Sequence, residues 1–273
     1  MLRFFAIILA ILLAFVLIYL LLIRCRRGHK GLSQLQGWCF AHRGLHGPDA
    51  PENSMLAFQR AIDAGYGVEL DVHLLADGGL AVMHDFTLRR TTGKDGYLKE
   101  LTTPQLAEHF LAGTDQTIPE FSEVLKLFDG KVPLIIELKY VGDNYKKLCE
   151  NVCKALEGYK GVYCMECFDP RSVRWLRKNR PDIIRGQLVE NYLKTKPITL
   201  PIIVRFVLGN LLSNFLTVPD FVACRYQDRN DLSTRLCSKF WGVQSVTWTV
   251  KNPEELETSL KENRIPIFED FCP

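Results

Sequence analysis

The sequence contains no internal repeat, no low-complexity tract and no Pro/Ser-rich linker, so nothing divides its 273 residues into a repeat array or a string of tethered modules. It also lacks a basic surplus once its start is set aside. Five of the 34 Lys and Arg lie in residues 1–30, which have no Asp or Glu, leaving 29 basic against 31 acidic residues in the remainder. Nucleic-acid binding therefore has no electrostatic support. The nine cysteines are odd in number and have no regular disulfide spacing, which suits a reducing compartment. Cys164-Met-Glu-Cys167 has no second such pair and falls in an expected strand rather than at a helix start, so it reads as buried thiols rather than a zinc or redox site.

Charge is missing altogether from residues 4–23. A helix of that length rises about 1.5 Å per residue and spans roughly 30 Å, the thickness of a bilayer core. It reads as an uncleaved membrane anchor; the apolar region of a signal peptide would be shorter, and no small-residue cleavage site precedes Arg24. Arg24, Arg26, Arg27 and Lys30 follow it, whereas only Arg3 and the amino terminus precede it, so a single-pass protein with the following domain on the cytoplasmic side is expected. The basic cluster would meet anionic lipid heads. This gives an anchor with its basic cluster over residues 1–30 and one domain over 31–273; at 47% apolar residues, the chain has material for a barrel-sized core.

What is present in density is chemistry between residues 42 and 85. Ala41-His42-Arg43-Gly44, Pro51-Glu52-Asn53, Val68-Glu69-Leu70-Asp71-Val72-His73 and Met83-His84-Asp85 follow one another, three of these clusters at the ends of short apolar runs that read as strands. Alternate strand residues share a face, so Glu69 and Asp71 project together while Val68, Leu70 and Val72 pack on the other side. Adjacent carboxylates repel unless a cation lies between them, and oxygen donors without thiolates favour Mg²⁺ or Ca²⁺. A third carboxylate, Glu137, ends the run from Val132 and shares a face with Lys139. Histidines beside such an ion suit proton transfer near neutral pH, and Arg43 offers a planar fork for phosphate. Together these features suggest phosphodiester chemistry.

Period and breaker residues place strands at 38–41, 67–74, 80–83, 132–139, 161–168, 183–189, 219–224, 243–250 and 265–268, with helices between most of them. These are nine strands in all. Residues 28–37 read as a short polar connector and 105–112 as a short helix. Asn252 before Pro253-Glu254-Glu255 marks a capped helix start.

His42-Arg43-Gly44, Pro51-Glu52-Asn53-Ser54, Glu69-Leu-Asp71, Asp77-Gly78, His84-Asp85, Arg90-Thr91-Thr92, Glu137-Leu-Lys139 and Trp248-Thr-Val250 occur in the order found in the glycerophosphodiester phosphodiesterases, a family this chain resembles over roughly residues 38–273. The resemblance implies a (β/α)₈ barrel holding one divalent cation, for which nine strands are one too many, so the strand near 80 or the one near 265 is peripheral; it also implies hydrolysis of glycerophosphodiesters to glycerol 3-phosphate and an alcohol. It makes Glu69, Asp71 and Glu137 the metal ligands, His42 and His84 the acid–base pair, and Arg43 and Lys139 the phosphate contacts, with Phe168 and Trp248 at the substrate. It further implies a cyclic phosphate intermediate, as in the related phosphoinositide-specific phospholipases C. His42 is the candidate base of the first step, an order the sequence does not fix. Cys167-Phe168 stands where the family has Ser-Phe, a departure that bears on a polar contact in the pocket.

Residues 196–218 are apolar but interrupted by Pro201, Arg205, Gly209 and Asn210, which makes a poor spanning helix. One reading is an amphipathic segment in the bilayer surface, a second lipid contact besides 4–23; the other is an ordinary barrel helix. The apolar segment favours a lysophospholipase D as the alternative activity. A non-catalytic relative would have lost one of His42, His84, Glu69, Asp71 or Glu137, and a sugar hydrolase would leave the histidines without purpose.

Overall fold

The computed structural model describes residues 1–195 and 200–273, so the first four positions of the 196–218 segment lie outside the described residues. The chain runs through α1 (Leu2–Leu22), β1 (Phe40–His42), α2 (Met55–Asp63), β2 (Gly67–Leu74), β3 (Leu80–Val82), α3 (Arg89–Thr92), α4 (Phe121–Phe128) and β4 (Leu134–Lys139). There follow α5 (Tyr145–Ala155), β5 (Tyr163–Cys167), α6 (Pro170–Asn179), β6 (Ile184–Val189), α7 (Tyr192–Thr195), α8 (Ile202–Gly209) and α9 (Asn214–Thr217). The last elements are β7 (Phe221–Arg225), α10 (Leu232–Trp241), β8 (Gln244–Val250), α11 (Pro253–Lys261) and β9 (Ile265–Phe268).

All strands but β3 form a closed parallel barrel, because β1 pairs with β2 on one side and with β9 on the other. The extra strand is β3, which lies antiparallel on β2. The turn at Asp77-Gly78-Gly79 is too short for the crossover a parallel partner needs. Asp169 and Asn252 cap α6 and α11 by accepting from the backbone N–H of Arg171 and Glu255, with proline at the first helical position of each. Residues 103–108 form a 3₁₀ helix closed by a Thr102–Gln105 capping box, in place of the expected helix at 105–112.

Alternation divides the core. Val68, Leu70, Val72, Leu134, Ile136 and Leu138 face outward against the helices, each contributing about 1.5–3 kcal/mol by burial. Inside, Phe40, Ile135, Cys164, Phe221 and Ile265 fill the N-terminal end of the barrel. Gly67 and Gly186 make room for the two rings: a Cβ at Gly67 would lie 2.7 Å from Phe40, and one at Gly186 would overlap Phe221.

The expected polar connector at 28–37 is a plug instead. Leu32–Gln34 form a 3₁₀ turn, and Leu35, 2% exposed, packs against the apolar barrel end with Leu32 beside it. Two leucines three apart are too short a signal to stand out from their glycine-rich and polar neighbours. The segment before the plug is also built into the wall. Ile23 and Cys25 are buried among Val189, Leu211, Val222 and Cys237, Arg26 pairs with Asp220, and Arg27 donates to the Phe240 and Trp241 carbonyls. Two of the basic residues after α1 therefore hold the barrel itself. All nine cysteines are free thiols; Cys39 is half-buried, Cys272 is exposed and the others are buried.

Candidate active site

In a parallel barrel the inward residues at the C-terminal strand ends, and the loops that follow them, form one face. His42 ends β1, Glu69 and Asp71 lie on β2, Glu137 and Lys139 on β4, and Trp248 on β8, while Phe168 follows β5 and His84 follows β3. His42, Arg43, Glu69, His84, Glu137, Lys139, Phe168 and Trp248 line one cavity of about 570 Å³. Asp71, the remaining residue expected at the site, is fully buried beside it.

Glu69, Asp71 and Glu137 each place a carboxylate oxygen so that all three lie within 4.8 Å of one another. Their closeness follows from register, since Asp71 is directly opposite Glu137 on adjacent strands. Burial raises Glu69 well above the usual carboxylate range, and the charges of Asp71 and Glu137 push the same way. Burial also raises Glu137, to about 7, against the opposing effect of Lys139. Asp71 behaves otherwise: burial would raise it, but Lys139, His84 and Arg43, with a 2.9 Å hydrogen bond from Asn53, hold it well below that range. A hard divalent cation fits this donor set, because it relieves the repulsion that raises Glu69 and needs only oxygen ligands.

Lys139 Nζ lies 3.0 Å from Asp71 and 2.8 Å from Glu137. Arg43 donates to Glu52 at 2.9 Å and has Nε 3.6 Å from Asp71. Both cations thus border the carboxylate trio. Arg43 and Asn53 have left-handed backbones, φ 57° and 56°, joined by the Asn53 N–H donating to the Arg43 carbonyl. Such conformations cost about 1–3 kcal/mol and persist where surrounding contacts hold them.

Each histidine has a carboxylate behind it. His42 Nδ1 is 3.1 Å from Glu269, and its Nε2 is 3.8 Å from Glu69. His84 Nδ1 is 2.7 Å from Asp85. Burial lowers both imidazoles, and the Glu269 and Asp85 hydrogen bonds work against that lowering. Glu269, hydrogen-bonded to His42 and 3.3 Å from His46 Nε2, is held well below the usual carboxylate range. A carboxylate that accepts from one ring nitrogen fixes the tautomer and aims the other at the site.

Glu269 was not among the residues expected from sequence. Its signal is faint: a charged residue directly after the last apolar run, which becomes meaningful only when β9 pairs with β1. Glu166 was missed too. It sits opposite Glu137 in register, 1% exposed, with burial raising it well above the carboxylate range. Phe168 and Trp248 meet edge-on at 5.7 Å and make one wall of the cavity aromatic, and the buried Tyr192 packs against Phe168 at 6.5 Å.

Residues 42–272 match the family described as the glycerophosphoryl diester phosphodiesterase family. A glycerophosphodiester phosphodiesterase of Bacillus altitudinis is 42% identical over 176 residues, covering 58% of this chain and 71% of that protein. The lysophospholipase D GDPD1 of Rattus norvegicus is 33% identical over 133 residues, covering 44% of this chain and 41% of that protein. A solved phosphodiesterase of Oleispira antarctica, in complex with the product sn-glycerol-3-phosphate, superposes with a TM-score of 0.71 at 21% identity. That match covers 86% of this chain and 94% of the other, and it shows the shared barrel.

Proposed function

The chain belongs to the glycerophosphoryl diester phosphodiesterase family and is an enzyme of that class; from this premise we propose that it hydrolyses glycerophosphodiesters with one divalent cation and two histidines. The observation that carries the reading is the meeting of two carboxylate-backed imidazoles, His42–Glu269 and His84–Asp85, with a buried carboxylate trio in one cavity. Glu69, Asp71 and Glu137 would hold Mg²⁺ or Ca²⁺. A cation bound there would offset phosphate charge and make the attacking hydroxyl more acidic.

The protein's own groups do the rest. Arg43 and Lys139 orient phosphate oxygens. His42 accepts the proton of the substrate's glycerol hydroxyl as that oxygen attacks phosphorus, and His84 protonates the departing alcohol oxygen, leaving a cyclic glycerol phosphate. Water then opens the ring with the two roles reversed, giving glycerol 3-phosphate. Glu269 and Asp85 keep each ring facing the reacting atoms.

A second reading is favoured by the aromatic wall of Phe168 and Trp248, and a relative carries the name lysophospholipase D. An acyl chain on the glycerol would lie against that wall, and the product would be a lysophosphatidic or cyclic phosphatidic acid. We further propose that α1, which is exposed from Leu2 to Ile18, spans the membrane once with the domain over 31–273 on the cytoplasmic side, as the Arg and Lys residues that follow α1 favour.

The deciding experiment follows turnover of glycerophosphocholine, glycerophosphoethanolamine and lysophosphatidylcholine with Mg²⁺, Ca²⁺ or EDTA, beside a His42→Ala control. Metal-dependent release of glycerol 3-phosphate, absent from the control, is expected. Release that persists in EDTA would defeat the metal assignment, and turnover of the lysolipid alone would move the protein to the second reading.

A further inference from the structure

The height at which α1 meets the barrel determines which end of the barrel faces the bilayer. Barrel helices return antiparallel to the strands, so the first turn of α10, which follows β7, lies on the face that carries the active site. The Tyr19 hydroxyl is 2.7 Å from Ser233 Oγ in that first turn. From there the chain descends: the Ile23 carbonyl accepts from Cys237 in the middle of α10, and the Arg26 N–H donates to Pro219, just before β7 begins. Followed in reverse, the chain climbs the barrel wall and leaves it at the level of the active-site face. Residues 2–18 of α1, at about 1.5 Å each, then extend roughly 25 Å from that level.

The segment after β6 emerges on the same face and is apolar toward solvent. In α8, Ile202, Ile203 and Phe206 are 72%, 74% and 51% exposed, at a spacing that puts them on one side of the helix. The helix ends at Asn210, whose Oδ1 accepts from Ser233 Oγ at 3.4 Å, so α8 and α1 converge on one serine. Leu232, beside that serine, is 65% exposed. The α7 helix just before this segment places Tyr192 against Phe168, which lines the cavity.

We infer that α8 and the mouth of the barrel face the bilayer that receives α1, and that the site draws its substrate, a single-chain glycerophospholipid, from that bilayer. This rests on the phosphodiesterase reading and on α1 as the anchor. Continuity with α1 selects the occupant of the apolar face: a surface whose neighbouring helix already lies in lipid meets lipid first. Ile202, Ile203 and Phe206 would sit in the headgroup and upper acyl region, and a lysolipid would pass beside α7 to the aromatic wall, its phosphodiester reaching the carboxylate trio.

The test uses the full chain in phosphatidylcholine vesicles with lipids brominated close to the headgroup. Tryptophan is placed at Ile203→Trp, at Phe15→Trp inside α1, and at Leu260→Trp near the end of α11 on the opposite face of the barrel; emission is measured over that of the parent. Loss of the added emission at 203 and at 15 but not at 260 is the expected result, and an unquenched 203 beside a quenched 15 overturns the docking face. In a second arm, Ile202→Gln/Ile203→Gln/Phe206→Gln is assayed on vesicle-borne lysophosphatidylcholine and on soluble glycerophosphocholine. The ratio of the two rates should fall about tenfold. An unchanged ratio, or a parent chain that hydrolyses only the soluble diester, overturns the substrate assignment. A parent that hydrolyses neither defeats the phosphodiesterase reading, while the quenching result still decides which face meets lipid.

Discussion

The two ends of the barrel are built from the same strands and differ in almost every physical respect. At the N-terminal end, Phe40, Ile135, Phe221 and Ile265 meet Leu35 of the plug in a closed apolar contact. A few residues further along the same strands, the inward positions are His42, Glu137 and Glu269, and the interior becomes charged around an open cavity. One end holds the strands together. The other crowds carboxylates that would not choose each other's company, Glu69 being raised well above its ordinary range by burial and by its neighbours. The difference teaches that stability and chemistry occupy separate layers of one interior, so substitutions in one layer should leave the other's property intact.

The sharpest test is His42→Ala. Loss of an acid–base group costs about 10²–10⁴-fold in rate, and turnover of glycerophosphocholine should fall by that much while the thermal midpoint moves little. The mirror experiment is Phe221→Ala at the apolar end, expected to cost about 3–5 kcal/mol of stability. Denaturant unfolding would show it, with kcat/KM per folded molecule unchanged; a parallel loss of activity would break the separation.

Glu269→Gln should have a smaller effect. The amide keeps the size of the side chain but cannot hold the ring of His42 as an ionised acceptor, and kcat should drop by roughly ten- to a hundredfold with KM little changed. Glu269 also raises His42 against the lowering effect of burial, so its removal lowers His42 further and the acid limb of the pH–rate profile should move to lower pH. A limb that stays in place would count against Glu269 as a positioning residue. Smallest is Arg26→Met, which removes a charge-assisted pair from the buried Asp220 and should cost about 1.5–3 kcal/mol, read as a lowered melting midpoint with the rate per folded molecule preserved.

Much of the barrel could be read from the sequence because strand alternation is a local property. Val68, Leu70 and Val72 against Glu69 and Asp71 declare two faces without reference to anything distant. The same local logic brings Glu137 and Lys139 to the site once β4 lies beside β2. What could not be read depends on closure. Glu269 meets His42 across 227 positions of sequence, and only the pairing of β9 with β1 makes that contact. The plug is a comparable case: Leu35 is one leucine in a polar stretch, and its burial is decided by the shape of the barrel end it stoppers. The peripheral strand was resolvable in principle, because the turn at Asp77-Gly78-Gly79 permits only an antiparallel return.

The distribution of thiols gives the molecule a built-in gauge of its own integrity. Of nine free cysteines, only Cys272 is exposed and Cys39 half-buried, and burial raises the thiol of Cys149 and pushes Cys153 up to about 11. A bulky maleimide should therefore modify the native chain once, at the carboxyl-terminal edge, and more slowly at Cys39, before it reaches the others. Each further adduct, counted by mass, would record one opening of the wall or the interior in the order in which those layers loosen.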